Sequence, residues 1–288
     1  MLKGLVVAAF GKRYEIELDD KRRISCVTRG KKTDIATGDF VEIKLTDTSE
    51  GVIEKILERS SLLYRSNAYK SKLLAANVTQ IVIVLATQPS FYETLLNRCL
   101  VAAEAAHIHA LIVLNKCDLK NDDALAKLKT YEALGYKTVE LSAKEDITPL
   151  LPYLEHHQSV MVGQSGMGKS TIINALLPNE KTRTQEISNA LDSGKHTTTA
   201  TRLYHLNDTS TLIDSPGLQE FGLHHVSQNA LEHAFIEFRP FLGHCKFNNC
   251  KHIHEPDCAI LAQIQTNNIN PIRLSQYQAL SKEINNEQ

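Results

Sequence analysis

The sequence lacks a long apolar run and lacks net charge. No stretch of about 18 apolar residues occurs, so we expect no membrane span. The N-terminal apolar segment has no small-residue cleavage site, so we expect no signal peptide. With 32 Lys and Arg against 33 Asp and Glu, the formal net charge is −1. This balance excludes a protein that is basic all over. We expect a cytoplasmic monomer.

The pattern of residue types divides the 288 residues into three predicted domains. Residues 1–62 hold five short β-rich segments separated by turns, which favour an OB-fold barrel, with an SH3-like barrel as the alternative. Residues 63–222 alternate apolar strands with helical stretches, which predicts a mostly parallel α/β sheet with helices on both faces. Residues 223–288 are expected to be helical around a Cys/His-rich loop.

Two segments of the third predicted domain carry specific helix signals. Residues 230–242 are expected to be helical throughout. Asn270 is a suitable N-cap for the last helix, and Pro271 suits its first position.

A glycine-rich segment predicts a phosphate-binding loop. Residues 163–170, GQSGMGKS, match G-x-x-x-x-G-K-[ST] between a predicted strand and a predicted helix. Glycines allow backbone N–H groups to surround phosphate oxygens, and the helix N-terminus favours an anion. The Lys169 ammonium would reach the β- and γ-phosphates, and the Ser170 hydroxyl would bind Mg²⁺. The residues predicted to hold phosphate are Gly163, Gln164, Ser165, Gly166, Met167, Gly168, Lys169, Ser170 and Thr171.

Two further segments predict a guanine-binding site. Residues 115–118, NKCD, follow an apolar strand and match N-K-x-D. The Asp118 carboxylate can accept hydrogen bonds from two guanine N–H groups, which adenine does not offer. The alternative is a strand-to-helix turn in which Asp118 is an N-cap. Residues 142–144, SAK, follow the next predicted strand. The predicted base-binding residues are Asn115, Lys116, Asp118, Ser142, Ala143 and Lys144.

A second pair of segments is expected to detect the γ-phosphate. Residues 214–217, DSPG, fit D-x-x-G after a strand. Asp214 would hold Mg²⁺ through water, and the Gly217 N–H would contact the γ-phosphate. Residues 194–199, GKHTTT, form a polar loop in which Thr198 is the favoured additional Mg²⁺ ligand.

The residue that follows D-x-x-G bears on the rate of hydrolysis. Ras-like proteins place a glutamine there to orient the attacking water. Here it is Leu218, which cannot orient water, so we expect slow intrinsic hydrolysis and an activating partner. His196 is a candidate replacement, although an exposed loop histidine without a catalytic role is an equal alternative. The predicted catalytic groups are His196, Lys169 and Gly217.

The order of these motifs is permuted. GTPases usually present the phosphate loop, the threonine loop and D-x-x-G before N-K-x-D and S-A-K. Here N-K-x-D and S-A-K come first. The change is tolerable because all these loops belong to the carboxyl edge of one parallel sheet.

A cysteine cluster in the third predicted domain indicates a metal site. Cys245, Cys250, His252 and Cys258 supply three thiolates and one imidazole, a set suited to structural, tetrahedral Zn²⁺. His244 and His254 are alternative nitrogen ligands. The other possibility is three buried cysteines without a metal.

The motifs NKCD, SAK, GQSGMGKS, GKHTTT and DSPG, with C-x₄-C-x-H-x₅-C after them, resemble the RsgA family of circularly permuted GTPases. The resemblance covers essentially the whole chain. It implies an OB-fold, Mg²⁺-dependent GTP hydrolysis to GDP stimulated by the small ribosomal subunit, and a role in late maturation of that subunit. It also implies that GKHTTT is the threonine switch, whose histidine has been suggested to be catalytic.

Contact with ribosomal RNA has a modest basis in the residues. Residues 21–32 hold six basic side chains and no acid. Tyr14 and Phe40 could add stacking surface on the barrel. A solvated hairpin is an equal alternative. A GTP-gated RNA or protein clamp with incidental hydrolysis, and a GTPase with a non-ribosomal partner, are the competing functions.

Overall fold

The structure is a computed structural model. It describes residues 1–30, 34–67, 70–178, 201–214, 221, 223 and 225–286.

An N-terminal barrel is formed by the first five strands. Their order is β1-β2-β3-β5-β4, and β4 returns to β1 to close the barrel. The β3–β5 pair is parallel and the other pairs are antiparallel. This five-stranded Greek-key barrel confirms the OB-fold prediction. Alternate side chains of the strands fill its core. The strands are β1 (Leu2–Phe10), β2 (Arg13–Leu18), β3 (Arg23–Thr28), β4 (Phe40–Leu45) and β5 (Glu50–Ile56).

A two-stranded antiparallel hairpin follows the barrel. It consists of β6 (Leu62–Asn67) and β7 (Lys70–Ala76). The sequence did not predict it, because the segment between the strands contains neither Gly nor Pro to mark a turn. The predicted domain boundary at residue 62 coincides with the start of β6 and stays a prediction.

The second sheet has the order β10-β9-β8-β11-β13-β12. All its neighbours are parallel except β12, which is antiparallel to β13. The central strand β8 is buried along its whole length, as its unbroken apolar sequence predicts. The strands are β8 (Gln80–Ala86), β9 (His109–Asn115), β10 (Lys137–Glu140), β11 (Gln158–Val162), β12 (Thr201–His205) and β13 (Thr211–Asp214).

Helices connect these strands and form the C-terminal region. A 3₁₀ turn, Thr148–Leu150, precedes the short α3, and another, Ile236–Phe241, follows α5. The helices are α1 (Glu93–Ala105), α2 (Asp122–Ala133), α3 (Leu151–Leu154), α4 (Lys169–Leu176), α5 (Gln228–Ala234), α6 (Ala259–Gln265) and α7 (Pro271–Asn286). Within the described residues, every helix is too short or too polar to cross a bilayer.

The helix expected over residues 230–242 is interrupted. Phe235 adopts an extended conformation with φ −85° and ψ 90°, which ends α5 one residue earlier. Pro240 removes a backbone donor and disfavours the α conformation of the residue before it, so the segment continues as a 3₁₀ helix. The start of α7 is as predicted, since the Asn270 side chain accepts a hydrogen bond from the Ile272 N–H at 2.9 Å.

The barrel joins the second sheet edge to edge. Ala8 and Ala9 of β1 pair with β12, so that one sheet of eleven strands runs through both. At the same junction the buried Thr37 hydroxyl donates to the Thr201 carbonyl at 3.2 Å. Gly38, with φ +93°, lies against the Ala76 carbonyl. The barrel is therefore attached where β12 begins.

Candidate nucleotide and metal sites

The predicted nucleotide-binding loops start at one edge of the second sheet. Its parallel strands β9, β10, β11 and β13 end at Asn115, Glu140, Val162 and Asp214. The N-K-x-D, S-A-K, phosphate and D-x-x-G segments follow or overlap these ends. The common direction of the strands thus brings together loops far apart in the sequence.

A single buried amide connects three of the loops. Asn115 donates from Nδ2 to the Met167 carbonyl at 3.0 Å, and its Oδ1 accepts from the Ala143 N–H at 3.0 Å. Gly168 leaves the space for this contact, because a Cβ there would lie 2.2 Å from Asn115 Nδ2. The predicted base-binding loops and the predicted phosphate loop therefore share one seam.

The Lys116 side chain strengthens this seam. Its ammonium donates to the Gly166 carbonyl at 2.6 Å and to the Gln88 carbonyl at 2.7 Å. The Thr87 hydroxyl donates to the Lys116 carbonyl at 2.7 Å. Lys116 adopts a left-handed backbone conformation with φ 63°, which these contacts hold in place.

Residues 87–92, which follow β8, form a supporting loop that the motifs did not identify. The Tyr92 N–H donates to Gln164 Oε1 at 3.1 Å, and Asn121 Nδ2 donates to the Thr87 carbonyl at 2.8 Å. The loop thus contacts both the phosphate loop and the segment after N-K-x-D. Its position after a parallel strand was the signal that could have identified it.

Asp118 is not a helix cap. The N-cap of α2 is Asn121, whose side chain accepts from the Ala124 N–H at 3.1 Å. Asp118 and Lys144 have exposed side chains, as do Ser165 and Ser170 on the phosphate-loop side. The structure therefore argues against the capping alternative for Asp118.

Lys169 and Asp214 can carry opposite charges and lie close enough to affect each other's pKa. Lys169 donates from Nζ to the Gly163 and Gln164 carbonyls. Burial lowers the Lys169 pKa, and the Asp214 charge partly opposes this shift. Burial raises the Asp214 pKa, and the Lys169 charge partly opposes that shift. Burial therefore disfavours the charged form of each group, and a bound anion and cation would oppose this effect. The predicted His196, Thr198, Gly217 and Leu218 lie outside the described residues.

The three cysteines and one histidine of the predicted metal site come together. Cys245, Cys250, His252 and Cys258 each bring a ligand atom within 4.8 Å of the others. His252 Nδ1 lies 3.7, 3.5 and 3.3 Å from the three sulfurs in sequence order, and Cys245 Sγ lies 3.9 Å from Cys258 Sγ. Around a tetrahedral Zn²⁺ ion, the nitrogen and each sulfur would lie about 3.6 Å apart, and two sulfurs would lie about 3.8 Å apart. The cluster can therefore hold a metal ion, with His252 rather than His244 or His254 as the nitrogen donor.

The environment of the cluster is that of a buried structural site. Burial raises the pKa of Cys250 to about 12 and raises that of Cys258. Burial also lowers the pKa of His252, which keeps the imidazole neutral. Burial raises the Glu255 pKa, but hydrogen bonds from backbone N–H groups outweigh it and lower this pKa to about 2. That carboxylate thus orders the turn carrying His252.

Known proteins are similar to this chain in both sequence and fold. A model of the RsgA GTPase family matches residues 56–224. The small ribosomal subunit biogenesis GTPase RsgA of Nitrosospira multiformis is 51% identical over 286 residues, covering 99% of this chain and 91% of that protein. The protein of the same name from Nitrosomonas europaea is 50% identical, covering 98% of this chain and 91% of that protein.

Solved structures agree with the fold. YjeQ from Thermotoga maritima superposes with a TM-score of 0.77 at 29% identity, covering 98% of each chain. YloQ, described as a circularly permuted GTPase, superposes with a TM-score of 0.72 at 27% identity, covering 100% of this chain and 96% of that one. The permuted motif order read from the sequence is consistent with this neighbour.

Proposed function

Because this chain belongs to the RsgA family of GTPases, we propose that it hydrolyses GTP to GDP and phosphate on the small ribosomal subunit and assists late maturation of that subunit. The proposed partners are GTP, GDP, the subunit and its ribosomal RNA. We further propose that it acts as a monomer in the cytoplasm. The observation that carries the nucleotide assignment is the seam at Asn115, which joins the base-binding loops to the phosphate loop.

The proposed mechanism assigns the residues of the predicted nucleotide site to three tasks. Asp118 accepts hydrogen bonds from guanine, and Ser142 to Lys144 pack behind the base. The phosphate-loop N–H groups and Lys169 neutralise the phosphates, so that Lys169 leaves the carbonyls it now contacts. Ser170, Asp214 and Thr198 would hold Mg²⁺, whose positive charge would offset the negative charge that develops on the phosphates.

The partner is proposed to complete catalysis. Leu218 follows D-x-x-G and offers no hydrogen bond to the attacking water. Gly217 and His196 are the proposed γ-phosphate contact and water-orienting group. Contact with the subunit would position these groups for hydrolysis, so we expect a low rate without the subunit.

Turnover measurements test this function. GTP hydrolysis is measured with no addition, with small subunits and with large subunits, and Lys169→Ala serves as the inactive control. We expect small subunits, but not large subunits, to raise the rate of GTP hydrolysis severalfold. Equal rates in all three conditions would contradict the proposal and favour the clamp with incidental hydrolysis. Stimulation by large subunits alone would indicate a different partner.

We propose that Cys245, Cys250, His252 and Cys258 hold one Zn²⁺ ion. The sulfur-rich donor set suits Zn²⁺ rather than Mg²⁺, and the distances among the donors fit a tetrahedron. Four protein ligands leave no position for substrate, so the ion would stabilise the C-terminal region. Metal analysis of purified protein tests this: about one Zn²⁺ per chain is expected, and less than half in Cys250→Ser.

A further inference from the structure

The second ring nitrogen of His252 is buried without a partner. Its Nδ1 faces the three sulfurs, whereas its Nε2 has no hydrogen-bond partner among the described residues. A histidine that binds a metal through Nδ1 carries its proton on Nε2, because the neutral ring has one proton. Metal binding would therefore fix a buried N–H donor that requires an acceptor.

Glu232 on α5 is the nearest charged acceptor. Its Oε1 lies 3.9 Å from His252 Nε2, and its side chain is 18% exposed. This distance is too long for a hydrogen bond but within reach of a small side-chain rotation. The same oxygen also accepts a hydrogen bond from the Tyr277 hydroxyl at 3.3 Å.

The other groups around the imidazole are not suited to this role. Glu255 is the second carboxylate near His252, but it accepts from the Lys251, Ile253 and His254 N–H groups. The rings of Phe238 and Tyr277 cover the imidazole with centroid distances of 6.3 and 5.8 Å. Glu232 is therefore the carboxylate that remains able to accept from Nε2.

We propose that Glu232 accepts the hydrogen bond from His252 Nε2–H when the metal is bound. It would then be a positioning residue that fixes the tautomer of His252 and strengthens its donation to the metal. The contact would also fasten the metal-binding loop to α5, the first described helix after D-x-x-G. This inference rests on the proposed metal site.

Zinc affinity tests the proposal. Chelator competition gives the Zn²⁺ dissociation constant of the full chain and of Glu232→Ala, Glu232→Gln and two controls. We expect Glu232→Ala to weaken binding by about 10- to 100-fold. Glu232→Gln should lose less, because its amide oxygen still accepts a hydrogen bond but without the charge.

The controls separate this role from general loss of stability. Tyr277→Phe removes a donor to Glu232 but leaves the carboxylate, and Glu283→Gln alters a carboxylate that pairs with Arg98 instead. Both should bind Zn²⁺ about as tightly as the unchanged chain. If Glu232→Ala also binds as tightly, the proposal is overturned while the metal site stands. If the unchanged chain binds no Zn²⁺, the metal site itself is wrong.

A spectroscopic measurement keeps the test valid if Glu232→Ala folds poorly. Nitrogen chemical shifts of ¹⁵N-histidine-labelled, Zn²⁺-loaded protein report which ring nitrogen carries the proton. We expect a protonated, slowly exchanging Nε2 in the unchanged chain and faster exchange in Glu232→Gln. Equal exchange in the two proteins would contradict the proposed hydrogen bond.

Discussion

The amide of Asn115 links the predicted base-binding loops to the predicted phosphate loop. It donates to one loop and accepts from another, and both contacts are buried. Without the Asn115 amide, the Met167 carbonyl or the Ala143 N–H would be left unpaired, at a cost of about 1–3 kcal/mol each. The side chain thus stabilises the relative position of two loops that the sequence separates by about fifty residues.

Asp118→Asn should change the base preference. The amide offers a donor where the carboxylate offered an acceptor, so guanine would meet a donor facing its own N–H groups, whereas xanthine offers an acceptor. We expect GTP affinity to fall by at least about 100-fold and xanthosine triphosphate to become the better ligand. Competition binding with both nucleotides measures this, and a mutant that still prefers GTP would refute the assignment.

Asp214→Asn should stabilise the nucleotide-free protein near neutral pH. Because folding raises the Asp214 pKa, its contribution to stability is fully present below the unfolded pKa of about 3.9 and is lost as pH rises through the folded value. The neutral amide avoids that loss. Thermal unfolding without nucleotide should show a higher Tm than the unchanged chain near neutral pH, and a smaller difference near pH 4.

Asp146→Asn is the control of opposite sign. Hydrogen bonds from the Thr148 side chain and backbone lower the Asp146 pKa, so the ionised form adds stability above the unfolded pKa and loses it on acidification. This substitution should lower the Tm near neutral pH. Equal shifts for the two variants would show that burial of Asp214 is not the cause.

At the scale of elements, a buried polar network fastens α7 to the helices behind the nucleotide-binding loops. Arg273 on α7 donates from Nε to Glu237 at 2.5 Å and from Nη1 to the side-chain oxygen Oδ1 of Asn97 on α1. Its guanidinium also lies 5.5 Å from the Tyr131 ring centroid on α2. Next to it, Gln276 donates to Glu93 at 2.8 Å, in the first turn of α1.

Removing one partner of this network should cost more than removing the ion pair. Arg273→Met leaves the Glu237 carboxylate buried without its cation, which we expect to cost about 3–5 kcal/mol of unfolding free energy. Arg273→Met with Glu237→Met replaces both charges and should cost less than Arg273→Met alone. Denaturant unfolding of the single and double mutants measures this. Simple additivity would contradict the interpretation.

Elements with a strong local pattern could be predicted from the sequence. The barrel strands β3 and β4 alternate in burial, β8 is buried along its whole length, and the phosphate-loop motif lies between β11 and α4. The β6–β7 hairpin and the loop at residues 87–92 lack such signals, because tertiary contacts form them. His252 was the predicted nitrogen donor, and the structure buries its side chain beside the three cysteines.

At the scale of the whole molecule, the barrel and the second sheet meet at a closely packed junction. The Asp39 carboxylate is fully buried there and accepts from Arg59 Nε at 2.6 Å and Nη2 at 2.7 Å. The neighbouring Gly38 allows the Ala76 carbonyl to approach, and that carbonyl accepts from Gln158 Nε2 at 2.8 Å. No side chain fits between these groups.

Gly38→Ala should weaken this junction more than an equivalent change elsewhere. A Cβ at Gly38 would lie 2.3 Å from the Ala76 carbonyl oxygen, whereas Gly11 also has positive φ but has nothing within 4 Å. Strain should cost both variants about 1–2 kcal/mol, and overpacking should add about 1–3 kcal/mol at Gly38. Unfolding free energies measure the difference. Equal losses would show that the junction can adapt.

The pairing of β1 with β12 has a consequence during translation. One edge of β1 pairs with β2. Along its other edge, the first half of β1 pairs with β4, whereas Ala8 and Ala9 pair with β12. The ribosome makes β12 about 10–40 s after β1, at about 5–20 residues per second. Until then the nascent barrel presents an open strand edge, which can pair with a neighbouring chain. We therefore expect this edge of β1 to be protected only once β12 has been made and has paired with it.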